Sequence, residues 1–154
     1  MSTKQLKLKI VTPEKLVLEE LVESVTLPTL EGEITILPEH VPIIAGLKSG
    51  DIVALANGEH VPYAVVGGFV EVKKEDLPAQ AGGITTVAIL ADFAEHITDI
   101  TDEAIEKAKA RSLELQKLAE NKEVVDYEHF ASELERSLTR VKIADKWKTR
   151  RYRK

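Results

Sequence analysis

No cysteine occurs anywhere in the chain, which excludes a disulfide framework, a thiolate metal site and a cysteine nucleophile. No apolar run approaches the roughly 18 residues that a membrane span requires, so no direct membrane insertion is expected. The start, Met1 to Ile10, alternates polar and apolar residues and lacks the apolar centre and small-residue cleavage site of a signal peptide. The chain is therefore expected to stay in the cytoplasm. Also missing are a glycine loop ending in Lys-Ser or Lys-Thr, a G-x-S-x-G elbow and an H-E-x-x-H helix. These absences remove the usual enzyme signatures, and no catalytic residue is assigned. His40, His60, His96 and His129 stand twenty or more residues apart, so none has a second histidine at ligand spacing and no metal site is expected.

What is present is the composition of an ordinary globule, with 44 % hydrophobic and 31 % charged residues over 154 positions. That length fits one compact domain plus an appendage, and burial of about 68 to 70 % of the unfolded surface suffices for a core. The net charge of −5 conceals a strong polarity. The last 19 residues carry nine Lys or Arg against one acid, Asp145, for +8, while residues 1 to 135 carry 12 bases against 25 acids, for −13. Interleaving of Trp147 and Tyr152 with this basic tail admits a nucleic-acid reading, since aromatics can stack on bases. The acidic body argues against it, because a phosphate backbone attracts only where Lys and Arg cover a broad surface. No nucleic-acid partner is expected.

Along the first ninety residues, Leu6, Leu8 and Ile10 alternate with Lys7 and Lys9, the period of a half-buried strand. Short β-branched runs follow at Val22 to Leu27, Glu33 to Leu37, Asp51 to Ala56, Tyr63 to Val66, Phe69 to Lys73 and Ile84 to Leu90, punctuated by proline and glycine. Many short strands with no helical pattern between them predict an antiparallel sandwich or flattened barrel. Asn57-Gly58 reads as a hairpin turn and Gly67-Gly68 as a bulge or close sheet contact. Lys73 to Gly83 reads as a long loop.

After Asp92 the period changes. Thr101, followed by Asp102 and Glu103, predicts the start of a helix running to about Glu120, with Ala104, Ala108, Leu115 and Ala119 as its apolar stripe and Ile105 and Leu118 beside it. Asp126 can cap a second helix with Tyr127, Ala131, Leu134, Leu138 and Val141 on one face. Together they predict an antiparallel helical hairpin whose alanine-rich seam is weak.

Residues 30 to 50 carry Glu31-Gly32, Pro38, His40, Pro42, Leu47 and Gly50 at spacings that resemble the epsilon-subunit family of bacterial F-type ATP synthases, as does Gly67-Gly68-Phe69-Val70-Glu71-Val72. The resemblance is collinear and covers nearly the whole chain. It implies a ten-stranded antiparallel β-sandwich over residues 1–92 that binds the gamma subunit and the c-ring, followed over 93–154 by a helical hairpin with a basic tail. It further implies a non-catalytic, peripheral rotor subunit of the central stalk on the cytoplasmic face of the membrane, contacting gamma, the c-ring and the alpha/beta catalytic head. On the c-ring side it places Glu31, Glu33 and His40. On the second helix it directs Arg136, Arg140, Lys146 and Arg150 at an acidic segment of beta, where extended helices inhibit hydrolysis. Residues 101 to 147 as one extended helix would span roughly 70 Å. Some family members bind regulatory ATP through a motif to which Asp102 corresponds. Here Ile105 replaces its arginine, so no cofactor is expected.

Overall fold

The computed structural model describes residues 4–121 and 126–151, without the side chains of Gln80, Tyr127 and residues 149–151. The chain divides into two compact units, Met1–Ala94 and Glu95–Lys154. Among the described residues ten strands precede the helices: β1 (Leu6–Val11), β2 (Leu16–Val22), β3 (Ser24–Thr29), β4 (Gly32–Ile36), β5 (Ile43–Gly46), β6 (Gly50–Ala56), β7 (Glu59–Val66), β8 (Phe69–Leu77), β9 (Gln80–Leu90) and β10 (Phe93–His96). They form two five-stranded sheets, ordered β2-β1-β9-β8-β5 and β10-β7-β6-β3-β4. Their inner faces meet in one core. Leu6, Leu8 and Ile10 of β1 lie there with Val25, Leu27, Ile52, Val65, Val70, Val87 and Ile89, all fully buried. Each such side chain contributes on the order of 1.5 to 3 kcal/mol by leaving water.

The sandwich agrees with the alternation in the sequence, and several details depart from it. β1 pairs with β9 in parallel, within an otherwise antiparallel arrangement. Val22 to Leu27, read as one run, is two strands in different sheets: β2 ends at Val22, β3 begins at Ser24, and Glu23 turns the corner between them. β2 and β5 escape the alternation rule in that they carry exposed apolar residues, Leu16 and Leu21 on β2 and Ile44 on β5, where a solvated strand would carry polar ones. The expected loop from Lys73 to Gly83 is instead a hairpin closed by Pro78 and Ala79. Its Lys-rich and Gly-rich composition reads as loop, yet cross-strand pairs from Lys73↔Thr86 to Leu77↔Gln80 hold it extended. Gly82 and Gly83 supply positive φ where that ladder is irregular, and a Cβ on Gly83 would lie 2.5 Å from the Glu75 carbonyl oxygen.

In the second unit a 3-10 turn (Ile97–Asp99) leads to α1 (Asp102–Glu120) and α2 (Tyr127–Arg151). Thr101 caps α1 by accepting from the Ala104 N–H at 3.1 Å, and Asp126 caps α2 by accepting from the His129 N–H at 3.1 Å. Both starts follow the sequence reading, and the seams follow it only in part. The buried residues of α1 are Ile105, Ala108, Ser112 and Leu115, while Ala119 is exposed. Ser112 can enter the seam because its hydroxyl donates to the Ala108 carbonyl at 2.8 Å. On α2 the buried positions are Phe130, Ser137, Thr139, Ile143 and Ala144, with Leu134 and Val141 half-buried, while Leu138 and Ala131 face out. Serine and alanine at these positions are apolar enough, once hydrogen-bonded, for close helix approach; counting only large apolar residues misses them.

Candidate interaction surfaces

The outer face of the first sheet carries an unusual row. Cross-strand register aligns Leu16 with Val11, Val11 with Leu90, Leu90 with Phe69, and Phe69 with Gly46, one residue from each of the five strands. Phe69 is 60 % exposed, Leu90 53 % and Leu16 50 %. At Gly46 the row is completed from another strand end: a Cβ there would meet Leu30 Cδ1 at 2.6 Å, so Leu30 lies over the glycine, and its N–H donates to the Gly46 carbonyl at 2.9 Å. The result is an apolar belt across one end of the sheet. A contiguous exposed patch of this kind marks an interaction surface more than a single exposed leucine does. The next row of the same face mixes charged and apolar residues, with Glu19, Lys9, Ala88, Glu71 and the exposed Ile44 in register. Glu19 pairs there with Lys7 of the row beyond at 3.0 Å, and that hydrogen bond holds the Glu19 carboxyl below the usual carboxylate range.

The expected c-ring residues divide between the two ends of the sandwich. Glu31 sits in the turn joining β3 to β4, and Glu33 follows on β4; both are exposed and adjoin Leu30 at the belt. His40 lies past the other end of β4, with its Nδ1–H donating to the Val41 carbonyl at 2.7 Å. The preceding residue, Glu39, holds a positive φ of 71°, pairs with Lys4 at 2.9 Å and donates its N–H to Thr85 Oγ1 at 2.7 Å. Thr85 and Leu90 are five residues apart on β9, roughly 17 Å at a strand's rise. Glu31 and Glu33 thus lie at the end of the sandwich that carries Leu90, and His40 at the end that carries Thr85.

The helical unit is clasped by charge. Arg111 grips Glu133 with two parallel bonds, Nε to Oε1 at 2.6 Å and Nη2 to Oε2 at 3.0 Å, and also meets Glu114 at 3.0 Å. These bonds raise the Arg111 pKa and hold the Glu133 carboxyl below its ordinary range. Lys148 near the end of α2 pairs with Asp102 at the start of α1, which fixes the antiparallel sense. Asp102 is thus engaged by a cation of the same chain, and Ile105 is buried at 4 % exposure. Arg140, expected to project freely, instead donates to Glu95 Oε2 at 2.9 Å and is half-buried. It lies on α2 away from the seam, where a nearby carboxylate competes for it. Arg136 and Lys146 are exposed, and the side chain of Arg150 lies outside the described residues. Among the described residues no group of three His, Asp or Glu has metal-binding geometry, and no helix is long and apolar enough to cross a membrane.

Neither the belt nor the clasp is evident from spacing alone. The signal for the belt is parity: in Gly68-Phe69-Val70-Glu71-Val72 the inward valines leave Phe69 on the opposite face, where a solvated strand would carry a polar residue. The clasp has no local signal, because Arg111 and Glu133 meet only through the hairpin.

Residues 5–97 match the family described as ATP synthase, Delta/Epsilon chain, beta-sandwich domain. The ATP synthase epsilon chain of Nitratidesulfovibrio vulgaris (strain Hildenborough) is 39 % identical over 140 residues, covering 91 % of this chain and 96 % of that one. That of Syntrophobacter fumaroxidans is 37 % identical over 142 residues, covering 92 % and 97 %. In fold, the chain is similar to a chain of the Euglena gracilis mitochondrial ATP synthase structure, with a TM-score of 0.55 at 22 % identity, covering 94 % of this chain and 80 % of that one. With the sandwich, the paired helices and the full-length relatives in agreement, the chain belongs to the ATP synthase epsilon chain family.

Proposed function

We propose that this chain is a non-catalytic rotor subunit of the central stalk of an F-type ATP synthase, joining gamma to the c-ring and so coupling ion transport to ATP synthesis. The observation that carries this reading is the apolar belt, which a free-standing sandwich has no reason to keep and a stalk subunit needs. Leu16, Val11, Leu90, Phe69 and Leu30 dock against gamma. Glu31 and Glu33, at the edge of the belt, set register on the polar loops of the c-ring as rim charges, which tune specificity more than affinity. His40 faces a different surface. Held in this way, the subunit is peripheral, at the cytoplasmic face of the membrane.

The helical unit is the regulatory part in this reading. When the hairpin opens, α2 enters the catalytic head, where Arg136, Arg140, Lys146 and Arg150 meet an acidic segment of beta and slow hydrolysis. Opening requires Arg111, Arg140 and Lys148 to leave Glu133, Glu95 and Asp102. Pairs this exposed are worth about 0 to 1 kcal/mol each, so partners in the head can replace them.

The test is calorimetric titration of gamma with the chain carrying Phe69→Ser and Leu90→Thr together. Both side chains face solvent, so the variant should fold. Loss of two central apolar anchors, at about 1 to 2 kcal/mol each, predicts binding weakened about thirtyfold to a thousandfold. Unchanged affinity would remove the belt from the interface.

A further inference from the structure

Asn57 is one of two asparagines in the chain, and it alone precedes glycine. With Gly58 it forms the exposed two-residue turn between β6 and β7, where the pair Ala56↔Glu59 closes the hairpin. Both residues have positive φ, 52° and 77°, as a type I′ turn requires. The Gly58 N–H does not point into water. It donates to Glu23 Oε1 at 3.1 Å, from a residue 35 positions away at the β2–β3 corner, whose own N–H is anchored on the Leu55 carbonyl at 2.7 Å.

We infer that Asn57 is a deamidation site whose rate is set by the hydrogen bond from Gly58 to Glu23. The chemistry needs only water. The Gly58 backbone nitrogen attacks Asn57 Cγ, forming an N–Cγ bond, and the Cγ–NH2 bond breaks, with ammonia carrying off the proton that leaves Gly58. Water then adds to either carbonyl of the cyclic imide, giving aspartate or isoaspartate, with no change in oxidation state. Glycine makes the attack easy because no Cβ shields its nitrogen. The attack also requires that N–H to give up its acceptor. A carboxylate is a strong acceptor for an amide N–H, since hydrogen bonds to charged groups are the stronger class. Glu23 therefore holds the nitrogen in its unreactive, protonated form.

The two products differ in consequence. Aspartate suits the same turn as asparagine and adds one negative charge beside Glu23 and Glu59. Isoaspartate adds a methylene to the backbone of a turn with only two residues, and so disrupts the register from Ala56↔Glu59 inward. This inference stands apart from the role in the stalk, since β6 starts near Pro28 at the belt end and runs away from it to Asn57.

The experiment ages the full-length chain and its Glu23→Gln variant at mildly alkaline pH and follows the peptide containing Asn57 by mass spectrometry, with denatured chain as the reference. The expected result is slow conversion in the native chain. Conversion should be about fivefold faster in Glu23→Gln, the factor for roughly 1 kcal/mol of hydrogen bonding, and fastest when denatured. Equal or slower conversion in Glu23→Gln would overturn the role of Glu23. No conversion in either folded protein, while the denatured chain converts, would overturn the site itself.

Discussion

At Gly68 the demand of the fold on a single residue is sharpest. Its φ is +106°, and a Cβ placed there would lie 2.0 Å from the Leu90 carbonyl oxygen and 2.8 Å from Ala91 Cα. Backbone cannot step aside as a flexible side chain can, so the β8 and β9 strands would have to separate. Gly68→Ala is expected to cost roughly 3 kcal/mol or more, combining disfavoured φ with the clash, as a lowered urea midpoint at unchanged slope. Gly46 makes a contrast. Its Cβ would strike only the end of Leu30, a side chain free to swing away, so the same substitution there should disturb the belt more than stability. The special role of Gly67-Gly68 was legible in the sequence, because a glycine pair inside an apolar run has few other uses. That of Gly46 was not, since it depends on a leucine 16 positions earlier folding back over it.

Among the elements, the helical hairpin shows where sequence reading stops. Its two starts were legible because Thr101 and Asp126 act on backbone groups three residues away. Its seam is legible only in part: Ile105, Ala108 and Leu115 belong to the apolar pattern and are buried, but burial of Ser112, Ser137 and Ala144 is decided by tertiary packing. The Arg111–Glu133 clasp gives this element a pH dependence of definite sign. Hydrogen bonding by Arg111, then its charge, lowers the Glu133 pKa in the folded state. A carboxyl depressed on folding stabilises above its unfolded value, about 4.3, and loses that contribution as pH falls through the folded value. The helices should therefore lose amide protection between neutral pH and pH about 3 more steeply in the native chain than in Glu133→Gln. At neutral pH Glu133→Gln should open the hairpin more often than the native chain, by a small factor because the pair is exposed to solvent screening. Native-state hydrogen exchange of α1 and α2 measures both. Equal pH dependence in the two proteins would show that the clasp contributes nothing.

For the whole molecule, a polarity of charge and a polarity of surface coincide. The first unit holds an apolar belt beside an acidic turn, and the second holds a chain of cations on α2 whose carboxylate partners are exchangeable. Charge polarity could be counted directly from the residues. The belt could not, because its members come from five separate parts of the chain and become neighbours only through sheet order. In the function proposed above, the first unit anchors the subunit and the second regulates it. The measurement that tests this most directly is ATP hydrolysis by the cognate catalytic head with gamma, with either the full chain or a form ending after Asp99. The account predicts that both bind and that only the full chain slows hydrolysis, by an amount that falls as salt rises and screens the α2 cations. Equal slowing by the two forms would contradict the regulatory role of the helices, and failure of both to bind would contradict the anchoring role of the sandwich.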